Sequence, residues 1–134
     1  MGLGEAMIIG GVGCRKGVSA AEIGAAIEAA CARAGLTKDH LDVIATAAHK
    51  EDERGIATAA AALGVPLVLV AEADLRAAGA RAVTRSSRVI ELMGVPSVAE
   101  AAALAAGPPA ASLLLPRIAV GPVTCALAET ERAP

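Results

Sequence analysis

The chain has 134 residues, which corresponds to one domain with room for a hydrophobic core. Hydrophobic residues make up 55% of it, none is aromatic, and 35 are alanine, so the core must be aliphatic. The net charge is −2, and the chain has no Phe, Tyr or Trp on which the bases of single-stranded nucleic acid usually stack. These properties argue against disorder and against nucleic acid as a partner.

Cysteine and histidine residues are few and widely spaced. Cys14, Cys31 and Cys125 form no CxxC pair, which favours free thiols in a reducing cytoplasm over a disulfide scaffold. Together with His40 and His49 they lack the close ligand spacing of a zinc site, so no metal is predicted. No segment has the features of a signal peptide or the roughly 20 apolar residues of a membrane span. We therefore expect a cytoplasmic protein without a membrane partner.

Hydrophobic periodicity, helix caps and glycine stops divide the chain into strands and helices. Strands are predicted at residues 6–12, 41–47, 67–70, 112–115 and 123–128. Helices are predicted at residues 19–34, 51–63, 72–78, 86–93 and 97–106, with one short turn after residue 37. Two capping boxes, Ser19 with Glu22 and Ser97 with Glu100, support two of the helix starts.

The alternation of strands and helices favours a parallel sheet covered on both faces. The last two strands are separated only by the Pro- and Gly-containing residues 116–122, which favours a hairpin. The prediction is thus a single three-layer α/β/α domain with a mixed, mainly parallel sheet and a C-terminal β-hairpin. The ordered core is expected at about residues 6–128, with loose tails at residues 1–5 and 129–134.

The most informative segment joins the first strand to the first helix. Its sequence, GVGCRKG at residues 11–17, combines three glycines, a thiol and two adjacent cations. Helix starts attract anions, because their free N–H groups point outward. The candidate ligand-binding residues are Gly11, Gly13, Cys14, Arg15, Lys16 and Gly17. The spacing matches neither a Walker A loop nor GxGxxG, so ATP and NAD are disfavoured and no cofactor is predicted. A simple turn with solvated cations is the alternative.

A catalytic interpretation starts from Cys14. Adjacent cations and a helix start lower the pKa of a thiol, and a nucleophile of this kind needs a base. His49 and Glu53 are the candidate bases. With Lys50 they follow the second strand and reach the sheet edge where open α/β sheets bind ligands. The alternatives are a packed thiol and carboxylates that only stabilise the start of a helix.

Helix caps provide further candidate ligand-binding residues. Ser86 and Ser97 are most simply caps, and Glu100 is the capping partner of Ser97. A cap that faces a cleft also binds a ligand carboxylate through the helix start, so all three are included. Thr124 is an ordinary strand residue by its pattern.

Several motifs occur in a fixed order along nearly the whole chain. They are GVGCRKG at 11–17, Lys50 with Glu53 and Gly55, Ser86 with Val89, GVPSVAEAAAL at 94–104, and Thr124 before Ala126 and Ala128. With this set the chain resembles, over residues 7–128, the CobE and CbiG C-terminal domain family of cobalamin-biosynthesis proteins. It is most similar to the free-standing CobE form. The resemblance adds Thr124 to the candidate ligand-binding residues.

The resemblance implies an α/β domain that acts in corrin-ring assembly, around the ring-contraction steps. The implied partner is a precorrin-type tetrapyrrole, whose acetate and propionate groups suit Arg15, Lys16 and Lys50. We therefore predict a cobalamin-biosynthesis protein that binds a precorrin intermediate and carries it or assists its conversion. Two residues depart from the family pattern. Ala48 replaces an expected Asp, which weakens a hydrolytic interpretation, whereas Arg117 replaces an expected Lys and keeps the charge.

Two other functions remain open at the level of sequence. One is a cobalt-precorrin lactone hydrolase of the CbiG type, which opens a δ-lactone and releases acetaldehyde. The other is a non-catalytic interaction subunit of a corrin-pathway enzyme.

Overall fold

The computed structural model describes residues 6–48, 54–79, 98–107 and 111–131. The strands are β1 (Ala6–Cys14), β2 (Leu41–Ala47), β3 (Leu67–Val70), β4 (Ser112–Val120) and β5 (Val123–Glu131). The helices are α1 (Ala20–Arg33), α2 (Arg54–Leu63), α3 (Glu72–Gly79) and α4 (Val98–Ala105), and a 3₁₀ turn (Lys38–His40) precedes β2. All five predicted strands are present. The predicted helix at residues 86–93 and the first residues of the one at 51–63 lie outside the described residues.

The five strands form one mixed sheet in the order β3-β2-β1-β5-β4. β1 and β3 both pair in parallel with β2, whereas β5 is antiparallel to β1 and to β4. Four of these five strands therefore run in one direction, and β5 runs against them. The predicted mixed sheet and C-terminal hairpin are confirmed.

Apolar residues cover both faces of the sheet. One core cluster lies between the sheet and α1 and α2, and it contains Ile23, Ile27 and Ile56. A second cluster lies between the other face and α3 and α4, and it contains Leu75 and Leu104. Burial on both faces explains why the strands are almost continuously apolar rather than alternating. The three-layer α/β/α arrangement is confirmed.

Helix α4 lies in backbone contact with β1. Five of its eight residues are alanines, and the glycines of β1 carry no side chain. A Cβ on Gly11 would overlap the carbonyl oxygen of Ala99 and would lie 2.8 Å from the amide nitrogen of Ala103. Because Ala99 is near the start of α4, this contact brings the start of the helix toward the carboxyl end of β1.

The start of α1 is capped as predicted. The Ser19 hydroxyl accepts a hydrogen bond from the backbone N–H of Glu22 at 3.1 Å, and the Glu22 carboxylate accepts one from the backbone N–H of Ser19 at 3.0 Å. These two bonds form the capping box. The predicted short turn after Thr37 is also confirmed, as the 3₁₀ turn before β2.

Three strands are longer than predicted. β1 ends at Cys14 rather than at residue 12, because its pairing with β5 continues to the Cys14–Val123 pair. Gly11 and Gly13 therefore lie in a strand, and the connecting turn is shorter than the motif indicates. Residues 129–131, predicted as part of a loose tail, belong to β5 and pair with the beginning of β1.

Residues 116–120, predicted as part of the linker between the last two strands, belong to β4. Pro116 within this strand lacks the N–H that a central strand needs. It is tolerated because β4 is an edge strand whose register with β5 shifts between Leu115 and Ile118.

Replacing Gly11 with Ala should lower the free energy of unfolding by about 1–3 kcal/mol, because the added methyl group overlaps the backbone of α4. Gly24→Ala is the matched control. Gly24 lies inside α1 with open space around an added Cβ, so this change should stabilise the protein by roughly 0.5–1 kcal/mol. Urea unfolding followed by far-UV circular dichroism measures both variants, since the chain has no aromatic fluorophore. Unchanged stability of Gly11→Ala would contradict the close packing.

Candidate functional site

The turn that follows β1 is held against the β4–β5 turn. The backbone N–H of Arg15 donates to the carbonyl oxygen of Pro122 at 3.3 Å. Gly17 has a φ of 76°, a left-handed conformation that favours glycine. Arg15, Lys16 and Gly17 are all exposed, so the two cations project from an anchored turn into solvent.

Two helix starts flank this turn. α1 begins directly after it, and α4 begins close to the end of β1, because a Cβ on Gly13 would lie 3.9 Å from both the Val98 Cβ and the Ala99 amide nitrogen. The N–H groups of a first helical turn carry partial positive charge. The two starts, from opposite layers, thus face the end of the same strand.

The described start of α2 packs against the start of α1. A Cβ on Gly55 would overlap the carbonyl oxygen of Val18 and would lie 3.2 Å from the carbonyl carbon of Ser19. A side chain at residue 55 would push the two helices apart, which gives a physical reason for the glycine in the motif. The contact also places Arg54 beside the start of α1. We call residues 13–19, 54–55, 98–99 and 120–124 the carboxyl edge.

Two threonine hydroxyls secure the end of β1. The parallel ladder between β1 and β2 ends at the Gly11–Ala45 pair. Beyond it, the buried Thr46 hydroxyl donates to the carbonyl oxygen of Val12 at 2.8 Å. On the other side of β1, the Thr124 hydroxyl donates to the carbonyl oxygen of Gly13 at 3.2 Å. Thr124 therefore has a structural role at the position where the resemblance implies a ligand contact.

Of the described arginines and lysines, only Lys38 and Arg76 form ion pairs with described carboxylates. Neither Arg15, Lys16 nor Arg54 forms an ion pair with any residue that the structure describes. Elsewhere Lys38 pairs with Glu28 at 3.7 Å, and Arg76 pairs with Glu72 at 3.6 Å. Arg33 lies in the last turn of α1, where a positive charge is favourable. The edge cations have no such structural explanation in the described part of the chain.

Glu100 lies in the first turn of α4 and is fully buried. One carboxylate oxygen accepts a hydrogen bond from the backbone N–H of Arg117 at 2.9 Å. The contact joins the start of α4 to β4 at the point where the register of β4 shifts. In this arrangement the side chain positions the helix start from inside the protein.

The three cysteines form no disulfide and lie in two different environments. Cys14 is partly exposed at the end of β1, whereas the other two are buried. Burial, with a smaller contribution from Cys31, raises the pKa of Cys125 to about 12. Burial, followed by the nearby Glu28 carboxylate, also raises the pKa of Cys31. These two thiols stay protonated in the core, and a nucleophilic role remains a prediction for Cys14 alone.

Five candidate residues lie outside the described residues: His49, Lys50, Glu53, Ser86 and Ser97. The described ones gather around the end of β1, with Gly11 and Glu100 as packing and positioning residues below the surface. In residues 6–48, 54–79, 98–107 and 111–131 no group of His, Cys, Asp and Glu side chains could hold a metal ion. No helix in the same ranges is long and apolar enough to cross a bilayer.

Sequence reasoning missed three contributors to this edge: Arg54, Thr46 and the β4–β5 turn. Arg54 is one of many surface cations by pattern, and its position depends on the glycine that follows it. Thr46 lies in an apolar strand, where a buried hydroxyl signals a hydrogen bond without identifying the partner. The hairpin itself is predicted from the sequence, but its contact with the turn after β1 joins residues more than 100 positions apart and has no local signal.

Comparisons with known proteins agree with this architecture. The family described as Cobalamin synthesis G C-terminus matches residues 8–128. Protein CobE from Sinorhizobium sp. is 33% identical over 118 residues, which cover 88% of this chain and 77% of that protein.

Solved structures of the same kind superpose on the chain. The crystal structure of CobE, from the cobalamin (vitamin B12) biosynthetic pathway, has a TM-score of 0.88 at 32% identity and covers 98% of this chain and 97% of its own. Cobalamin biosynthesis protein chiG from Agrobacterium tumefaciens has a TM-score of 0.73 at 43% identity, with 91% and 97% covered. A homologue of cobalamin biosynthesis protein G from Sulfolobus solfataricus has a TM-score of 0.69 at 26% identity, with 92% of this chain but 36% of that chain covered.

The chain is a three-layer α/β/α domain with a mixed five-stranded sheet and a carboxyl edge at the end of β1, and it shares its fold with these solved structures. The chain belongs to the Cobalamin synthesis G C-terminus family and is a CobE/CbiG-like protein of cobalamin biosynthesis. The resemblance drawn from the motifs is thereby confirmed.

Glu100→Ala should lower the free energy of unfolding by about 1–3 kcal/mol, because it leaves the backbone N–H of Arg117 without its acceptor. Glu100→Gln keeps an acceptor oxygen at the same position and should cost less. Urea unfolding of both variants measures the difference. Equal losses in the two variants would contradict a positioning role through this hydrogen bond.

Proposed function

We propose that this protein binds a precorrin-type tetrapyrrole at the carboxyl edge and carries it or assists its conversion during cobalamin biosynthesis. The observation that carries the proposal is the pair of exposed cations, Arg15 and Lys16, on an anchored turn between two helix starts. A cytoplasmic location belongs to the same proposal, supported by three cysteines that form no disulfide.

The charge of the ligand supports this choice. A precorrin carries acetate and propionate side chains, so it is a polyanion at neutral pH. Arg15 and Lys16 are not engaged by described carboxylates and are available to form charge-assisted hydrogen bonds with such groups. The starts of α1 and α4 add partial positive charge at the same edge, which the first-turn carboxylates Glu22 and Glu100 partly offset, so Arg15 and Lys16 provide the main attraction.

The apolar side chains of the edge support a ring-shaped ligand. Val98, Val120 and Pro122 are each only partly buried and lie beside the cationic turn. A tetrapyrrole presents an apolar ring bordered by carboxylates, so one ligand can cover these side chains and reach the cations.

Arg15→Ala/Lys16→Ala should weaken binding of a polycarboxylate tetrapyrrole by roughly tenfold or more at low ionic strength, because two charged contacts are lost. Uroporphyrin III is a suitable stable probe, since its ring is surrounded by acetates and propionates. Its visible absorbance follows the titration, and the protein has no aromatic residue to overlap with it.

The matched control is Arg33→Ala/Lys38→Ala, which removes the same net charge away from the edge, at the last turn of α1 and at the ion pair of Lys38 with Glu28. Its affinity for uroporphyrin III should equal that of the unmodified protein. No binding by the unmodified protein, or equal weakening by both double variants, would contradict the proposed site.

A further inference from the structure

We infer that Arg54 is a second cationic contact of the carboxyl edge, so that the site holds two separated carboxylates of one ligand. This inference rests on the proposed tetrapyrrole binding and specifies which ligands the site accepts. Arg54 comes from α2, a different element from the turn that carries Arg15 and Lys16.

Gly55 fixes the location of Arg54. The absence of a side chain lets the α2 backbone touch Val18 and Ser19, so the contact cannot shift without opening a gap between α1 and α2. Consecutive Cα atoms are about 3.8 Å apart, so the Arg54 Cα lies within one residue of this contact. The long Arg54 side chain therefore starts beside the first residues of α1.

The two cationic positions approach the edge from opposite sides of β1. The turn with Arg15 and Lys16 is tied to the β4–β5 turn, on the side of β1 that faces β5. α2 follows β2 and leads into β3, so Arg54 arrives from the other side. A ligand that lies across the start of α1 can place carboxylates on both.

Among the residues that the structure describes, none offers a structural purpose for the charge of Arg54. The residue is exposed and forms no ion pair within the described ranges, unlike Arg76 with its Glu72 partner. Its guanidinium presents a planar fork of donors that matches a carboxylate, which a point charge does not. A site with two separated cations selects among ligands by where their carboxylates lie on the ring, and not only by how many carboxylates they carry.

Two probes with different carboxylate distributions test the inference. Uroporphyrin III carries carboxylates around the whole ring, whereas the propionates of deuteroporphyrin IX both lie on one side. Arg54→Ala should weaken uroporphyrin III binding by roughly three- to tenfold, as expected for one partly solvated charged contact. It should change deuteroporphyrin IX binding less than twofold, since that ligand reaches only one of the two positions.

The controls separate this inference from the proposed function. Arg76→Ala removes one paired arginine from α3 and should leave both affinities unchanged. Arg54→Lys keeps the charge without the planar fork and should retain only part of the uroporphyrin III affinity. If the unmodified protein binds neither probe, the proposed function fails. If Arg15→Ala/Lys16→Ala weakens uroporphyrin III binding but Arg54→Ala does not, the proposed function stands and the role of Arg54 is overturned. Equal weakening of both probes by Arg54→Ala also overturns the two-sided arrangement.

Discussion

The backbone contact between α4 and β1 is the constraint on which the rest of the structure depends. It requires glycine at residue 11 and alanine along the facing side of the helix, because any larger side chain would separate the two backbones. The contact puts the start of α4 at the carboxyl end of β1, opposite the start of α1. The close packing of alanine on glycine thus places the starts of α1 and α4 together at the carboxyl end of β1.

Hydrogen bonds supply the specificity that this small-residue core lacks. Interfaces of alanine and glycine lack the large interlocking side chains that would prevent one element from shifting along another. Thr46, Thr124 and Glu100 each bond a backbone group of a neighbouring element, and Thr46 and Glu100 are fully buried. A buried hydroxyl or carboxylate without a hydrogen-bond partner would destabilise the fold. Each of these bonds therefore favours one alignment of the two elements that it joins. All three bonds lie in or below the carboxyl edge, where the positions of the cations depend on register.

The layer order, the strands and the capping box of α1 could be predicted from the sequence, because they depend on local periodicity and on side chains three residues apart. Strand ends could not, since the last pairs of β1 and β5 depend on each other across more than 100 residues of chain. Pro116 indicates a break by local rules, yet an edge position with a shifted register accommodates it.

The candidate site could be predicted only where its residues have local sequence signals. Arg15 and Lys16 stand out by their neighbours in sequence and by the motifs that resemble the family. Gly11, predicted in the loop, lies in β1 against α4, because sequence alone does not distinguish a glycine that a turn needs from one that a close backbone contact needs. Arg54 required the structure, since only the packing of Gly55 on Val18 relates it to the turn.

The most direct test of the carboxyl edge as the ligand site is amide chemical-shift mapping with uroporphyrin III. The porphyrin ring current shifts nearby protons, and the protein contains no Phe, Tyr or Trp whose own ring current would add to these shifts. The account predicts the largest shifts at Arg15, Lys16, Gly17 and Val98, with little change in the 3₁₀ turn (Lys38–His40) before β2. Largest shifts at that turn or along β3, with the edge residues unmoved, would contradict it.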